Sequence, residues 1–217
     1  MLKHWKLIAA NFAAVGLGIY FATFGFSLPH TQRLDPNQID GLFWPAQKQL
    51  APFSLTDHEN QEFNLQDFEE GWHLIFFGYT YCPDICPITM STLREAHTSY
   101  QAIAKEEFKD LTMTFVSVDG ERDHPEHLAN YIRFYSEAFV AASGDKASVD
   151  SLTTQLGVPY EIDPHEPGDT NYLVAHTGTL FLIAPGGKLM ATIQPPLTAD
   201  GVVQNIMEIR EFVASQS

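Results

Sequence analysis

The two cysteines of this chain, Cys82 and Cys86, lie where an apolar segment is expected to turn from a strand into a helix. Leu74 to Phe77 form a continuous apolar run, which is typical of a strand buried on both faces. Beyond Cys86 the apolar residues recur three or four positions apart, as in a helix with one buried side. Because the first amides of a helix are free to stabilise a thiolate, this turn predicts a reactive cysteine pair.

The spacing of the pair, Cys-x-x-x-Cys, allows either a disulfide or a shared metal ion. Residues four apart on a helical turn share a face, with Cα atoms roughly 6 Å apart, inside the ~4.4–6.8 Å that a disulfide accepts. Pro83 and Pro87 fix their own φ angles and stiffen the turn. A purely structural disulfide is the plain alternative, but so short a loop would remove little chain entropy. We therefore favour a functional pair.

Three stretches of the chain carry distinctive motifs: Phe77–Pro87, Phe115–Tyr131 and Tyr172–Gly187. In this order they resemble the metal-binding loop, the second signature and the histidine-bearing stretch of the SCO/SenC family of thioredoxin-fold copper chaperones. The resemblance extends over roughly residues 50 to 213. It implies a thioredoxin-like fold and a role in the assembly of cytochrome c oxidase.

The resemblance also implies a copper site built from Cys82, Cys86 and His176, which holds Cu(I), Cu(II) or both in turn. Thiolates suit Cu(I), and imidazole suits copper in either oxidation state. Taken alone, a histidine beside a strand is more often a core or surface residue, so the assignment of His176 depends on its motif. A zinc site with the same three donors is a chemical alternative.

Three more residues are expected around this site: Asp119, Tyr79 and Tyr81. Asp119 ends a predicted strand, at the edge where sites form in α/β sheets, and it would accept a hydrogen bond there or help to dock a partner. The two tyrosines would shield the site or form partner surface. Two positions depart from the family pattern: Ala175 stands where an acidic residue often precedes the histidine, and Gly120 where proline is common. An orienting partner for the histidine is then missing or comes from elsewhere.

The N-terminal part of the chain has the pattern of a membrane anchor. Lys3 and Lys6 precede an uncharged run from Leu7 to Leu28. At ~1.5 Å per residue this run spans about 33 Å, enough for the ~30 Å core of a bilayer. The alternative is a cleaved signal peptide, but the run exceeds the usual ~7–15 residues of its apolar region, and no clear cleavage site follows.

The domain organisation predicted from these features is an anchor over residues 1–28, a linker over 29–50 and a thioredoxin-like copper-binding domain over 51–217. The two lysines place the N-terminus in the cytoplasm and the domain in the periplasm, on a single-pass protein of the inner membrane. Two cysteines in one loop then imply a dithiol that a reductant or a metal keeps available.

Strands and helices alternate along the predicted domain, which indicates an α/β thioredoxin-like sandwich. We expect a hairpin near residues 53–65, strands over 74–77, 111–118 and 139–142, and a second hairpin over 179–193. Helices are expected after Cys86 and over 124–138, 146–156 and 199–213. Residues 161–171 contain two prolines and a glycine without any period, so a loop is expected there.

The formal charge of −15 makes nucleic acid and anionic membrane surfaces poor partners for the domain. The resemblance implies instead a copper-receiving subunit of a respiratory oxidase, with a thioredoxin-like reductant or another copper carrier as further partners. Metal transfer is not the turnover of a substrate, so the leading hypothesis is a metallochaperone rather than an enzyme. The alternative is a thiol–disulfide oxidoreductase that uses Cys82 and Cys86 as a redox pair to reduce the copper-site cysteines of the oxidase. A thiol peroxidase fits the paired cysteines and prolines less well.

Overall fold

The structure, a computed structural model, describes residues 42–216 of the chain. The predicted membrane anchor, residues 1–28, lies outside this range. Within it, no helix combines the length and the apolar character that crossing a bilayer requires.

The fold centres on an eight-stranded mixed sheet with the strand order β1-β10-β9-β4-β5-β6-β2-β3. Its strands are β1 (Leu42–Gln49), β2 (Ser54–Asp57), β3 (Glu62–Asn64), β4 (Trp72–Gly78), β5 (Leu111–Ser117), β6 (Val140–Ser143), β9 (Leu180–Ala184) and β10 (Lys188–Ile193). A separate two-stranded ribbon pairs β7 (Tyr160–Ile162) with β8 (Val174–His176). The helices are α1 (Ile85–Ile103), α2 (Pro125–Tyr135), α3 (Lys146–Leu156) and α4 (Ala199–Ala214), with short 3-10 turns at Leu65–Phe68 and Glu106–Phe108.

The central strand β4 is buried on both faces, as its apolar run predicts. Leu74 and Phe76 pack into a core with the buried sides of α1, α2 and α4, and Ile75 and Phe77 pack into a second core with α3. Alternate residues of one strand therefore hold both layers of the domain together. The predicted α/β thioredoxin-like sandwich is confirmed.

Helix α3 has the bounds that its local signals predict, residues 146–156. The carboxylate of Asp145 accepts a hydrogen bond from the Ser148 amide at 2.8 Å, which caps the first turn. At the other end Gly157 has φ 69°, a left-handed conformation that glycine adopts without strain. Both ends of α3 can be predicted from the sequence because each depends on a cap residue directly beside the helix.

Two segments differ from the predictions. Residues 42–49, expected to belong to a linker, form β1, which pairs with β10 at the edge of the main sheet. Residues 161–171, expected to be a loop, overlap strand β7, which pairs with β8 in the separate ribbon. Neither segment could be predicted from its sequence, because both contain or adjoin prolines and lack an alternating apolar pattern.

The parallel pairing of β4 with β5 positions the functional region. Gly78 at the end of β4 is paired with Ser117 at the end of β5, so the cysteine segment and Asp119 leave the same edge of the sheet. This is the edge at which parallel sheets place their sites.

Candidate metal centre

Cys86 lies in the first turn of α1 and is completely buried beneath the end of β4. Its sulfur occupies space that only a glycine at position 78 leaves open. A Cβ at Gly78 would come within 2.5 Å of Cys86 Sγ and 3.0 Å of Phe115 Cε2. Gly78 is therefore part of the site, since it admits the buried sulfur.

Cys82 lies in the loop before α1 and is only half-buried. Its sulfur accepts a hydrogen bond from the Cys86 amide at 3.5 Å. Asp84, the residue that caps the helix, makes no side-chain cap of its own. A thiolate thus occupies the position at the helix N-terminus that a capping oxygen usually fills.

The two free cysteines have opposite acidities. A hydrogen bond from the Cys86 side chain, together with the amides of Asp84 and Cys86, lowers the pKa of Cys82. The same contact with Cys82, together with burial, raises the pKa of Cys86. Within the pair, Cys82 is therefore the more acidic thiol and Cys86 the less acidic one.

His176 ends β8 and reaches the cysteines from the opposite side, with Nε2 3.3 Å from Cys86 Sγ. Its Nδ1 lies 3.1 Å from the carbonyl oxygen of Thr177. Because a carbonyl can only accept, Nδ1 carries a proton, and the neutral imidazole then has its lone pair on Nε2, the ring nitrogen nearer to Cys86. The rings of Phe76 and Tyr79 meet the imidazole edge-on, with centroids 6.0 and 5.8 Å away. The imidazole is thus held in the orientation that a metal ligand needs.

The carbonyl oxygen of Thr177 is a hydrogen-bond partner for His176 that does not depend on an acidic residue at position 175. The orienting partner of His176 comes from the backbone of the next residue, so an acidic side chain before the histidine is not needed for it. Gly120 has a steric explanation as well, since a Cβ there would collide with the carbonyl oxygen of Gly144.

Together, Cys82, Cys86 and His176 offer two sulfur atoms and one nitrogen, all within 4.8 Å of one another. This distance allows a single ion to contact all three donors with small side-chain movements. The sequence alone could not bring His176 to the cysteines, since about ninety residues separate them.

Of the three residues expected around the site, only one is on the surface. Tyr81 is 44% exposed, whereas Tyr79 and Asp119 are buried at 2% and 0%. The ring of Tyr79 lies edge-on to the imidazole of His176. Asp119 forms an ion pair with the buried Arg122 at 2.5 Å and accepts a hydrogen bond from the Tyr172 hydroxyl at 2.7 Å. In this conformation Asp119 offers no surface for a partner, and Tyr81 is the one of the three that does.

Asp123 is a residue of the site that sequence reasoning did not identify. Its carboxylate accepts hydrogen bonds from the Thr80 amide at 2.8 Å, the Thr80 hydroxyl at 2.5 Å and the Ser117 hydroxyl at 2.5 Å. Burial raises its pKa, and these hydrogen bonds oppose that effect. Asp123 thereby ties the start of the cysteine loop to the end of β5. Its position four residues after Asp119 in the second signature was the available signal.

The fold and this site define a thioredoxin-like protein with a Cys-x-x-x-Cys and histidine centre at the end of its central strands. The family model described as SCO1/SenC matches residues 45–211. The chain therefore belongs to the SCO1/SenC family.

Relatives and solved structures agree with this membership. A protein of Stutzerimonas stutzeri whose name proposes copper binding is 32% identical over 173 residues, 80% of this chain and 82% of the relative. The human protein named SCO1 homolog, mitochondrial, is 32% identical over 180 residues, which are 80% of this chain but only 59% of the human protein. The crystal structure of Arabidopsis thaliana ScoI with copper bound is similar with a TM-score of 0.68 and 25% identity, covering 76% of this chain and 99% of that one.

Proposed function

We propose that this protein binds one copper ion through Cys82, Cys86 and His176 and delivers it to the copper site of a respiratory cytochrome oxidase. The observation that carries the proposal is the convergence of the three donor atoms within 4.8 Å. The copper-bound structure of the Arabidopsis relative and the name of the Stutzerimonas relative support copper as the cargo.

The donor set favours copper on chemical grounds. Two thiolates and one imidazole match the preferences of Cu(I), and the imidazole also suits Cu(II). Zinc accepts the same donors, but divalent copper binds such sites more tightly in the general order of affinities. A three-donor site also leaves an open position at which a receiving protein can attack.

The unequal burial of the cysteines suggests the order of transfer. Cys82 is half-buried beside the exposed Tyr81, while Cys86 is inside the protein. An incoming thiolate from the receiving subunit would displace Cys82 first, and Cys86 would leave in a later exchange. Each exchange replaces one metal–sulfur bond by another, so the ion never has to be released into water.

The proposed location is the inner membrane, with residues 1–28 as a single-pass anchor and the domain in the periplasm. Its support is the charge-free run after Lys3 and Lys6. The proposed linker shortens to residues 29–41, because residues 42–49 belong to the main sheet.

The test is copper binding by the full-length protein in detergent, reduced and kept anaerobic. We expect one copper per chain, with both sulfur and nitrogen ligands in X-ray absorption spectra. His176→Ala should remove the nitrogen ligand and lower the affinity by about 10-fold or more. His124→Ala is the matched control, since His124 is exposed and makes no side-chain cap at the start of α2.

A wild-type protein that loses its copper to a modest chelator would contradict the proposal. So would an affinity that His124→Ala lowers as much as His176→Ala does, because the ion would then lie elsewhere.

A second candidate function, disulfide reduction, is favoured by the unequal acidities of the cysteines. The Cys82 thiolate would attack one sulfur of a target disulfide, breaking that bond and releasing a target thiolate. Deprotonated Cys86 would then attack the mixed disulfide, release the second thiolate and close a Cys82–Cys86 disulfide. A thioredoxin-like dithiol would have to reduce that bond before the next cycle. His176→Ala distinguishes the two functions, because it should abolish tight copper binding and spare reduction.

A further inference from the structure

His176 is carried by an element that has no place in the main sheet. The ribbon pairs Tyr160 with His176 and Ile162 with Val174, and it forms a sheet of its own. On its C-terminal side His176 is followed closely by β9, a central strand. On its N-terminal side β8 follows a long loop, in which the Leu173 carbonyl accepts a hydrogen bond from the Asp163 amide at 3.0 Å and side chains add further contacts.

Arg122 supplies these contacts to the approach of β8. Its Nη1 donates hydrogen bonds to the carbonyl oxygens of Thr170 at 3.0 Å and Tyr172 at 2.9 Å. Its Nε donates to Asp119 at 2.5 Å, and the Tyr172 hydroxyl donates to the other oxygen of the same carboxylate at 2.7 Å. The guanidinium thus joins the loop before His176 to the end of β5, with its charge balanced by Asp119.

The faces of the same guanidinium lie against rings from both sides of the site. Its central carbon is 3.5 Å from the ring centroid of Tyr172 and 4.8 Å from that of Tyr81 in the cysteine loop. Two histidine rings extend the stack on its outer sides. The ring centroid of His165 is 3.7 Å from that of Tyr172, and the ring centroid of His127 is 5.1 Å from that of Tyr81. Arg122 is therefore in contact with the loop that carries Cys82 and with the segment that leads to His176.

We propose that Arg122 is a positioning residue that holds His176 at ligand distance from the cysteine pair. This inference rests on the proposed copper site, of which His176 is the third ligand. Its hydrogen bonds go to Asp119 and to the carbonyl oxygens of Thr170 and Tyr172, so it acts by fixing the segment that leads into the strand carrying the imidazole. A planar guanidinium can donate to two carbonyls and a carboxylate at once while stacking on rings, and a lysine cannot.

The test uses Arg122→Lys in the full-length protein, with copper as the probe. Lysine keeps a positive charge near the buried Asp119 but loses the fork to the two carbonyls. We expect the nitrogen ligand to weaken or disappear from the X-ray absorption spectrum while both sulfur ligands remain. The copper affinity should fall by about 10-fold or more, as for other residues that orient a ligand.

The matched control is Arg133→Lys. Arg133 is half-exposed on α2 and has a loose ion pair with Glu137 at 3.7 Å. This variant should keep the wild-type spectrum and affinity. The unfolding midpoint of each variant separates a loss of fold from a loss of ligand geometry.

A double-variant cycle decides whether Arg122 acts through His176. In a His176→Ala background, Arg122→Lys should change the copper affinity by less than about twofold, because the ligand that it positions is already gone. An equal loss in both backgrounds would overturn the inference, as would an Arg122→Lys protein with wild-type nitrogen ligation.

Failure of the copper site itself would look different. In that case the wild type would show no nitrogen ligand, and His176→Ala would leave the affinity unchanged. If Arg122→Lys does not fold, the double variant Asp119→Asn with Arg122→Gln replaces it, since this change removes the guanidinium fork to the two carbonyls without leaving a buried charge unpaired. Unchanged nitrogen ligation in that variant would also overturn the inference.

Discussion

A single missing side chain makes the centre of this site possible. Cys86 can lie beneath β4 because Gly78, the last residue of that strand, has no Cβ to meet its sulfur. The glycine precedes the cysteine loop in the sequence, but nothing in its neighbours there shows that it faces Cys86. Its role depends on the packing of α1 against the sheet, which only the structure reveals.

Gly78→Ala should therefore damage stability and the site together. The added methyl group would stand 2.5 Å from Cys86 Sγ, and overpacking of this kind typically costs about 1–3 kcal/mol. We expect a lower free energy of unfolding in denaturant titrations and a weaker copper site. Gly178→Ala is the comparison, because its methyl group would meet Ile85 Cδ1 and Pro195 Cγ at 3.0 Å rather than the sulfur. Equal copper affinities in the two variants would contradict this account.

A second prediction at the residue scale concerns His73, the second residue of β4. Burial lowers the pKa of its imidazole to about 4, although nearby Asp67 opposes the shift. Its Nδ1 lies 2.9 Å from the hydroxyl of Thr114. Between about pH 6.5 and 4 the imidazole of His73 binds a proton in the unfolded chain but stays neutral in the folded chain. The free energy of unfolding therefore falls as the pH drops from about 6.5 to 4.

The size of this effect follows from the shift, about 3 kcal/mol across that window as an order of magnitude. His73→Gln, which cannot titrate, should have a flatter profile of unfolding free energy between pH 7 and 4. Other groups titrate in both proteins, so the difference between the two profiles is the quantity to measure. Parallel profiles would show that folding leaves the pKa of His73 unchanged.

At the scale of elements, the cysteine loop is held by a buried carboxylate that belongs to another segment. Asp123 receives three hydrogen bonds, two of them from Thr80. The sequence placed both cysteines correctly at the strand-to-helix turn, because apolar period and proline are local signals. It could not show that Thr80 and Asp123 meet, since a side-chain contact between segments leaves no periodic pattern.

Thr80→Val tests this anchor, because it removes the hydroxyl and keeps the shape of the side chain. We expect the free energy of unfolding to fall by about 1–2 kcal/mol, since one acceptor of a buried carboxylate loses its donor. Copper should also dissociate faster, because Cys82 follows two residues later in the loosened loop. Thr98→Val, at an exposed position of α1 where the hydroxyl bonds only to its own helix, is the control. A dissociation rate equal to that of the wild type would show that the loop holds its shape without this bond.

The secondary structure shows the same division between local and distant causes. The main helices and central strands could be predicted nearly residue by residue, because caps and apolar periods mark them. The ribbon of β7 and β8 could not, because each strand has three residues and pairs only with the other. The proposed ligand role of His176 was therefore predicted from a family resemblance rather than from the pattern around it.

For the whole molecule, the two cores on either side of one sheet support the site from both faces of that sheet. Both layers meet at β4, and the site lies at its end. The sequence did not predict one edge of the sheet, where β1 pairs with β10. The domain therefore begins earlier than residue 51, the predicted boundary.

A pair of truncated proteins tests that boundary. Residues 42–217 keep β1, whereas residues 51–217 lose it together with Leu50, which is buried and donates its amide to the Gly187 carbonyl at 2.9 Å. Losing a buried leucine side chain typically costs about 2–5 kcal/mol, and the uncovered edge of β10 becomes free to pair with a second chain. We expect the shorter protein to unfold at lower denaturant concentration and to self-associate in sedimentation experiments. Copper binding in the fraction that stays monomeric should persist, since the site lies at the ends of β4 and β5. If the two proteins unfold at the same midpoint and both remain monomeric, residues 42–50 act as a linker after all.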